Sequence, residues 1–539
     1  MEVFERTGVV RPWRACASIF LLTLGLRVAL LPWLHVPKPV IHDEFSYLLA
    51  GDTYAHGRLA NPPHPFWQHF ETFQELQQPT YASKYQPLQG LALTFGERLF
   101  DQPWIGVLLT TALASAAVCW MLQGWITPEW ALLGAFLFAL RIGVLSYWMN
   151  SYEGGSIPAI GGALALGAMA RIWRTREFTH AVTWAIGISI LMLSRPYDAA
   201  VLAISSAAIL AWLLRPLPGP AQLRAAVPAL LVLALSFAAI AYNDYCVTGD
   251  ALTLPYQAQD RQYAVAPMFL FLPLRREPVY RHAVMRDFWA RWNVDQWKDS
   301  RTLPVAQLLA KAYLLSDFFF GFWPIAIPLL LSPFALKTKE ERVCAGLLVI
   351  CFSSLALLIG VLPHYAATFS GIFYLRFLQS LKRLSAWRKP LGPLLAPAVP
   401  ALFVFAFVNS AIGLMRGSDP VPFLSGRDSL SAALAARSSR FGAARDAMDR
   451  DLANLAGGQL VLVRYQPGHN LQDEWVFNHA DIDRSRVVWA REMGPAEDGP
   501  FLNYFRDRQV WLAEPDASPP RLTPYSIGEA TLAVKSAPQ

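Results

Sequence analysis

About eleven apolar runs, each long enough to cross a hydrocarbon core of roughly 30 Å, leave this chain few folds to choose from. They fall at about residues 15–34, 104–126, 130–149, 155–173, 180–195, 197–214, 224–242, 312–336, 343–362, 364–381 and 391–415. In lipid, backbone polar groups must find partners within the chain, so runs of this length are read as transmembrane helices. Composition points the same way. Only 16% of the 539 residues are charged and 54% are hydrophobic, whereas roughly a quarter of a soluble chain is charged. The fold class expected is mainly α, a polytopic helical bundle.

The net charge of +7 comes from short basic clusters between the apolar runs. That pattern reads as a topology signal and excludes nucleic acid as a partner. With the N-terminus in the cytoplasm, four clusters share its side: Arg171, Arg174 and Arg176; Arg215 and Arg224; Lys337, Lys339 and Arg342; and Lys382, Arg383, Arg388 and Lys389. This alternation requires residues 180–214 to be two spans, and Pro196 with the charges of Arg195 and Asp198 supplies the break. The first run lacks a small-residue cleavage site and reads as a retained helix. Loops 36–103 and 243–311 and the tail 416–539 then lie outside the cytoplasm, which gives a bundle domain over 1–415 and a separate outer domain after it. The compartment implied is a cell inner membrane crossed many times. Five cysteines, mostly in or beside apolar runs, form neither a disulfide framework nor a zinc motif.

The first outer loop opens with PVIHDEFSYLLAGD, which sets Asp43 and Glu44 just past the first span. A charge costs roughly 3 kcal/mol or more at the bilayer centre and is easily solvated outside it. The pair therefore belongs at a water-facing mouth, either as a reaction centre or as the mark of a helix that has left the membrane. Lys84, in ASKYQPLQG, is a contact for phosphate or a solvated loop lysine. Glu153, in NSYEGG, is free to be solvated or to face the same cavity as Asp43. His42, His56, His64 and His69 lack metal-ligand spacing beside a carboxylate, so no metal is expected. Walker and dinucleotide motifs are absent as well.

Gly154, Gly155, Gly161, Gly162 and Gly167 form small-residue surfaces suited to close helix packing. Tyr280, Val284, Phe288 and Trp292 recur at helical spacing beside Arg281, Arg286 and Arg291. This is an amphipathic helix on the membrane surface or a helix packed on protein. In the tail, strand-like runs at 460–465, 486–492 and 508–515 alternate with helical stretches at 429–455 and 498–507, which predicts a small α/β domain.

HDEFSYLLAGDTYAHGRL, ASKYQPLQG, NSYEGG, LSRPYD, LPYQAQDRQYAVAP and PHYAATFSGIFYL together resemble the bacterial GT-C membrane glycosyltransferases. The resemblance is to the family-39 protein mannosyltransferase and aminoarabinose transferase group, and it covers most of the chain to about residue 415. It implies an enzyme that takes a sugar from a polyprenyl-phosphate carrier and passes it to a lipid, glycan or protein acceptor outside the cytoplasm. That lipid is a substrate, and no cofactor is implied. Asp43 matches the family's catalytic carboxylate, and a positioned carboxylate can take the proton of an attacking hydroxyl. Glu44 is then a supporting carboxylate or a like-charge partner that raises the proton affinity of Asp43. Lys84 matches the family's loop lysine, with Arg195, Arg261 and His364 as further groups for the donor phosphate. Direct displacement at the anomeric carbon implies inversion. KYQP in place of a double proline, Glu153 and the tail domain depart from the family pattern. Two other readings fit many spans with few charges. One is a transporter or lipid flippase, which would favour mid-membrane charges and an internal repeat. The other is a non-catalytic envelope assembly protein.

Overall fold

The computed structural model describes residues 12–175, 179–215, 219–321, 336–387, 390–417 and 426–525. The run expected at 312–336 lies mostly outside these residues, as do Arg176, Arg388 and Lys389.

The bundle begins with α1 (Pro12–Ala29) and resumes after the first loop with α4 (Trp104–Trp125), α5 (Pro128–Phe138), α6 (Ser156–Thr175), α7 (Thr179–Met192), α8 (Pro196–Leu214) and α9 (Gly219–Thr248). Helices Lys339–Ala356, Ser370–Ser385 and Leu391–Arg416 complete the described part. Among the described residues four helices are long and apolar enough to cross a membrane: α4, α6, Ala226–Thr248 of α9, and Leu391–Arg416. A fifth would be the pair Ala283–Thr302 and Pro304–Phe320, bent by 108°. Two of the other apolar runs are not single uninterrupted α-helices. The run at 130–149 leaves α geometry after Phe138 for a π turn, Ala139–Val144. The run at 364–381 opens as a 3-10 turn, Pro363–Phe369, and carries the buried Arg376.

α6 sits at the centre, and its small residues let neighbours come close. A Cβ on Gly162 would lie 1.9 Å from the Thr368 carbonyl oxygen, and one on Gly187 would lie 2.6 Å from that of Gly161. Around them pack Trp125, Phe138, Trp148, Phe318, Tyr374 and Phe377. Two buried cations satisfy carbonyls at or beyond helix ends. Arg27 donates to the carbonyls of Leu34 and His35, and Lys311 to those of Leu355 and Leu358.

The first loop is more structured than its sequence suggests. It holds α2 (His42–Ala55), an antiparallel pair β1 (Glu75–Leu76) and β2 (Ala82–Ser83), and α3 (Pro87–Phe100). Pro87 at its first turn favours the start of α3. The second loop supplies α10 (Pro255–Tyr263) and the segment 283–302. There Val284 and Phe288 bury against Phe73 and Tyr263, so this amphipathic stretch packs on protein.

The tail forms a four-stranded sheet in the order β4-β3-β5-β6. β3 (Gly458–Val463) runs parallel to β4 (Val487–Arg491) and β5 (Arg508–Glu514), and β6 (Arg521–Pro524) is antiparallel to β5. The near-continuous apolar run of β3 suits a central parallel strand covered on both faces. One cover is the first loop, since Leu49, Phe70 and Tyr81 share a core with Leu460, Leu462 and Val488. Phe45 of α2 stacks on Phe477 at 4.1 Å, and Asp52 accepts the Ala480 N–H at 2.7 Å. α2 is thereby held between the bundle and the sheet.

Candidate active site

α2 begins at His42, which makes Asp43 and Glu44 consecutive first-turn residues about 100° apart around the axis. They therefore face different surroundings. Glu44 is 1% exposed and turns inward. Its carboxyl accepts the N–H groups of Val40 (2.8 Å), Ile41 (3.2 Å) and Tyr152 (2.8 Å). It ties the start of α2 to the 145–155 segment, and burial pushes its pKa up to about 8.

Asp43 turns the other way and keeps its side chain 23% exposed. The Tyr85 hydroxyl donates to Oδ1, and His42 Nδ1 lies 3.4 Å from Oδ2. Burial works to raise the Asp43 pKa, but the His42 ring and then the charges of Lys84 and His364 outweigh it and hold the carboxyl below its usual range. The like-charge elevation by Glu44 expected from sequence is replaced by this depression, because Glu44 points elsewhere.

Lys84 lies among three rings, with its Nζ 5.3 Å from the Tyr85 centroid, 5.7 Å from Trp289 and 5.8 Å from Tyr256. Among the described residues its ammonium makes no hydrogen bond or ion pair. Burial lowers its pKa, against the charges of Asp43 and Asp260. The sequence resemblance singles out Lys84, whereas two of its three aromatic walls, Tyr256 and Trp289, come from positions far along the chain and carry no local signal.

Arg195 precedes α8 and donates through Nε to Asp198 Oδ2 at 2.8 Å, with its guanidinium 4.4 Å from the Tyr365 ring centroid. Its two terminal nitrogens have no hydrogen-bond partner among the described residues. Its charge acts on Tyr47, Glu153, Tyr256 and Tyr365, the same groups that feel the charge of Asp43. Of these, Glu153 is 3% exposed, with Oε2 3.4 Å from His364 Nδ1. Burial first, then the charge of Asp43, raises its pKa to about 8. His364 Nδ1 lies 2.9 Å from the Tyr147 hydroxyl.

Arg261 is not brought in. On α10 the residues that turn inward are Pro255, Gln259 and Tyr263, with Tyr256 and Asp260 beside them, and Arg261 is exposed. Among the described residues no group of three or more His, Cys, Asp or Glu converges as a metal site.

The geometry thus joins one depressed carboxylate, two cations with N–H groups to spare and a glutamate whose pKa is raised, with Tyr85, Tyr256 and Tyr365 beside the carboxylate and the cations. No protein-family model matches the chain, and no curated protein does. Among solved structures it is similar to the oligosaccharyltransferase AglB of Archaeoglobus fulgidus, in complex with an inhibitory peptide and a dolichol-phosphate. That likeness has a TM-score of 0.49 and 12% identity over 93% of this chain and 69% of that one. It is also similar to ArnT from Cupriavidus metallidurans bound to undecaprenyl phosphate, with a TM-score of 0.48 and 11% identity over 92% of this chain and 93% of the other.

Proposed function

We propose that the chain is an integral membrane glycosyltransferase that moves a sugar from a polyprenyl-phosphate carrier to an acceptor outside the cytoplasm by inverting displacement. The observation that carries this reading is the meeting of ionised Asp43 with Lys84 and with Arg195, whose Nε is held by Asp198 but whose terminal nitrogens have no partner among the described residues. Two cations with free donors suit a lipid phosphate, whose negative charge grows as it leaves. On the opposite face of the sugar, Asp43 takes the proton of the acceptor hydroxyl as its oxygen bonds to the anomeric carbon. The carbon–oxygen bond to the phosphate breaks in the same step, and no sugar is left on the enzyme. Glu153, largely protonated at neutral pH, spares the donor a second negative neighbour. Residues 36–103, 243–311 and 416–539 face the periplasm in this reading.

The test is transfer from radiolabelled polyprenyl-phosphate sugars in membranes holding equal amounts of wild type and Asp43→Asn. General-base loss should lower the rate about 10²–10⁴-fold. An inserted, abundant Asp43→Asn protein with wild-type transfer would overturn the assignment.

A further inference from the structure

We propose that a cavity between the first and second outer loops is a saccharide subsite, which holds a neutral sugar unit of the acceptor apart from the hydroxyl that is glycosylated. The inference names the acceptor's class and rests on the transferase reading for that consequence, while the binding itself does not depend on it.

The cavity measures about 320 Å³ and is walled by Trp67 and Glu71 of the first loop and by Gln262, Tyr263, Tyr280 and Arg281 of the second. That is the small end of the range for ligand cavities, roughly 300–1,000 Å³, and leaves room for a mono- or disaccharide. The walls are fixed by their own bonds. The Tyr263 hydroxyl donates to Glu71 Oε1 at 2.8 Å, and the Tyr280 hydroxyl to the Tyr263 carbonyl at 2.6 Å. Arg281 donates through Nη1 to Glu71 Oε1 at 3.4 Å, with its guanidinium 4.6 Å from the Trp67 ring centroid.

What the walls leave over is a mixed set of polar groups. Among the described residues Arg281 Nε and Nη2 are donors without a hydrogen-bond partner. Gln262 gives its amide N–H to the Gln78 carbonyl at 2.8 Å and keeps Oε1 as an acceptor. A sugar hydroxyl both donates and accepts, so it uses both kinds of group. The C–H face of its ring suits aromatic walls such as Trp67 and Tyr280. Charge separates this ligand from its rivals. Of the lining residues only Arg281 and Glu71 are charged, and they pair with each other, which leaves no cation over for a phosphate or a sugar acid.

The same elements serve this cavity and the lysine site. α10 turns Tyr256 and Asp260 toward Lys84, and Gln262 and Tyr263 toward the cavity. Trp289 stands beside Lys84, and Met285 on the preceding turn lines the cavity. Phe73, close to Glu71 in the chain, packs its ring 5.3 Å from that of His42, the neighbour of Asp43. A saccharide held here is next to the reaction centre and outside the contacts that the donor phosphate uses.

The experiment is saturation-transfer difference NMR on the full chain in nanodiscs. The probes are glucose, galactose, mannose, N-acetylglucosamine and their disaccharides, with glucuronate and inorganic phosphate as charged comparisons. At least one neutral sugar should bind, about tenfold more weakly in Trp67→Ala and about threefold more weakly in Gln262→Leu, both with unchanged melting. If Trp67→Ala does not fold, Gln262→Leu decides alone. The bound sugar should also inhibit transfer in competition with the membrane acceptor and not with the polyprenyl-phosphate sugar. Binding of no neutral sugar, a preference for glucuronate or phosphate, or a signal lost in Lys84→Met and kept in the cavity variants overturns the proposal. Competition with the donor overturns the acceptor assignment. Sugar binding that follows the cavity variants in a protein that consumes no polyprenyl-phosphate sugar keeps the subsite and removes the transferase reading instead.

Discussion

Asp43 and Glu44 are neighbours in sequence with the same functional group, and the helix leaves one partly exposed and sends the other into the protein. Glu44 holds three backbone amides that have no other acceptor among the described residues. Glu44→Ala should therefore destabilise the protein by about 1–3 kcal/mol for each amide left buried without a partner, seen as a lower melting temperature. Folding raises the pKa of Glu44 and Glu153 from 4.5 to about 8. Their protonated forms thus support the fold fully at pH below the ordinary value, and that support is lost as pH rises through about 8. For turnover the same shift predicts an alkaline limb near pH 8, where Glu153 ionises beside Asp43. Glu153→Gln should keep near-wild-type transfer at pH 7 and lose that limb in a pH–rate profile. A limb that persists unchanged in the variant would assign it to another group. Asp43 and Lys84 are legible in the sequence because a resemblance marks them. The hydrogen bond from Tyr85 to Asp43 is not, since it depends on side-chain direction between two separate segments.

Helix phase decides which members of a motif count. In LPYQAQDRQYAVAP the conspicuous cation is Arg261, yet α10 turns Tyr256 and Asp260 toward Lys84 and leaves Arg261 in solvent. One residue of rotation is about 100°, and the phase is fixed by contacts that the sequence does not display. Spacing is more informative where packing is tight. The glycines of α6 are visible as a small-residue stripe, and Gly162 faces the Thr368 carbonyl. Gly162→Val should cost about 3 kcal/mol, at the upper end for overpacking, because backbone rather than a flexible side chain must move. Lower yield of folded protein and an earlier melt would show it, whereas a neutral effect would mean that the 363–369 turn can retreat. Apolar run length does not show where a run leaves α geometry, because a buried arginine or a π turn inside a run looks like a minor interruption in sequence.

At the scale of the molecule the tail is a support as well as an appendage. Its three main strands are legible from their β-like runs, while their order and the short β6 are not, because pairing joins residues far apart. The sheet reaches α2 through the Phe45–Phe477 stack, with the Arg445 guanidinium 4.9 Å from the Phe45 ring centroid. Arg491 adds a hydrogen bond from Nε to the Glu71 carbonyl at 2.6 Å. Phe477→Ala should cost about 3–5 kcal/mol locally. The expected readout is earlier tryptic cleavage within 437–491 while the bundle stays protected, with reduced transfer from a loosened α2.

The hydrogen bond between Asp52 and Ala480 spans 428 residues of chain. A ribosome adding roughly 5–20 residues per second needs about 20–90 s to make the second partner after the first. For that interval the helix bearing Asp43 has been released without the sheet that steadies it. The centre is consequently among the last parts of the protein to mature, and a chain cut short within the strands should be inserted but inert.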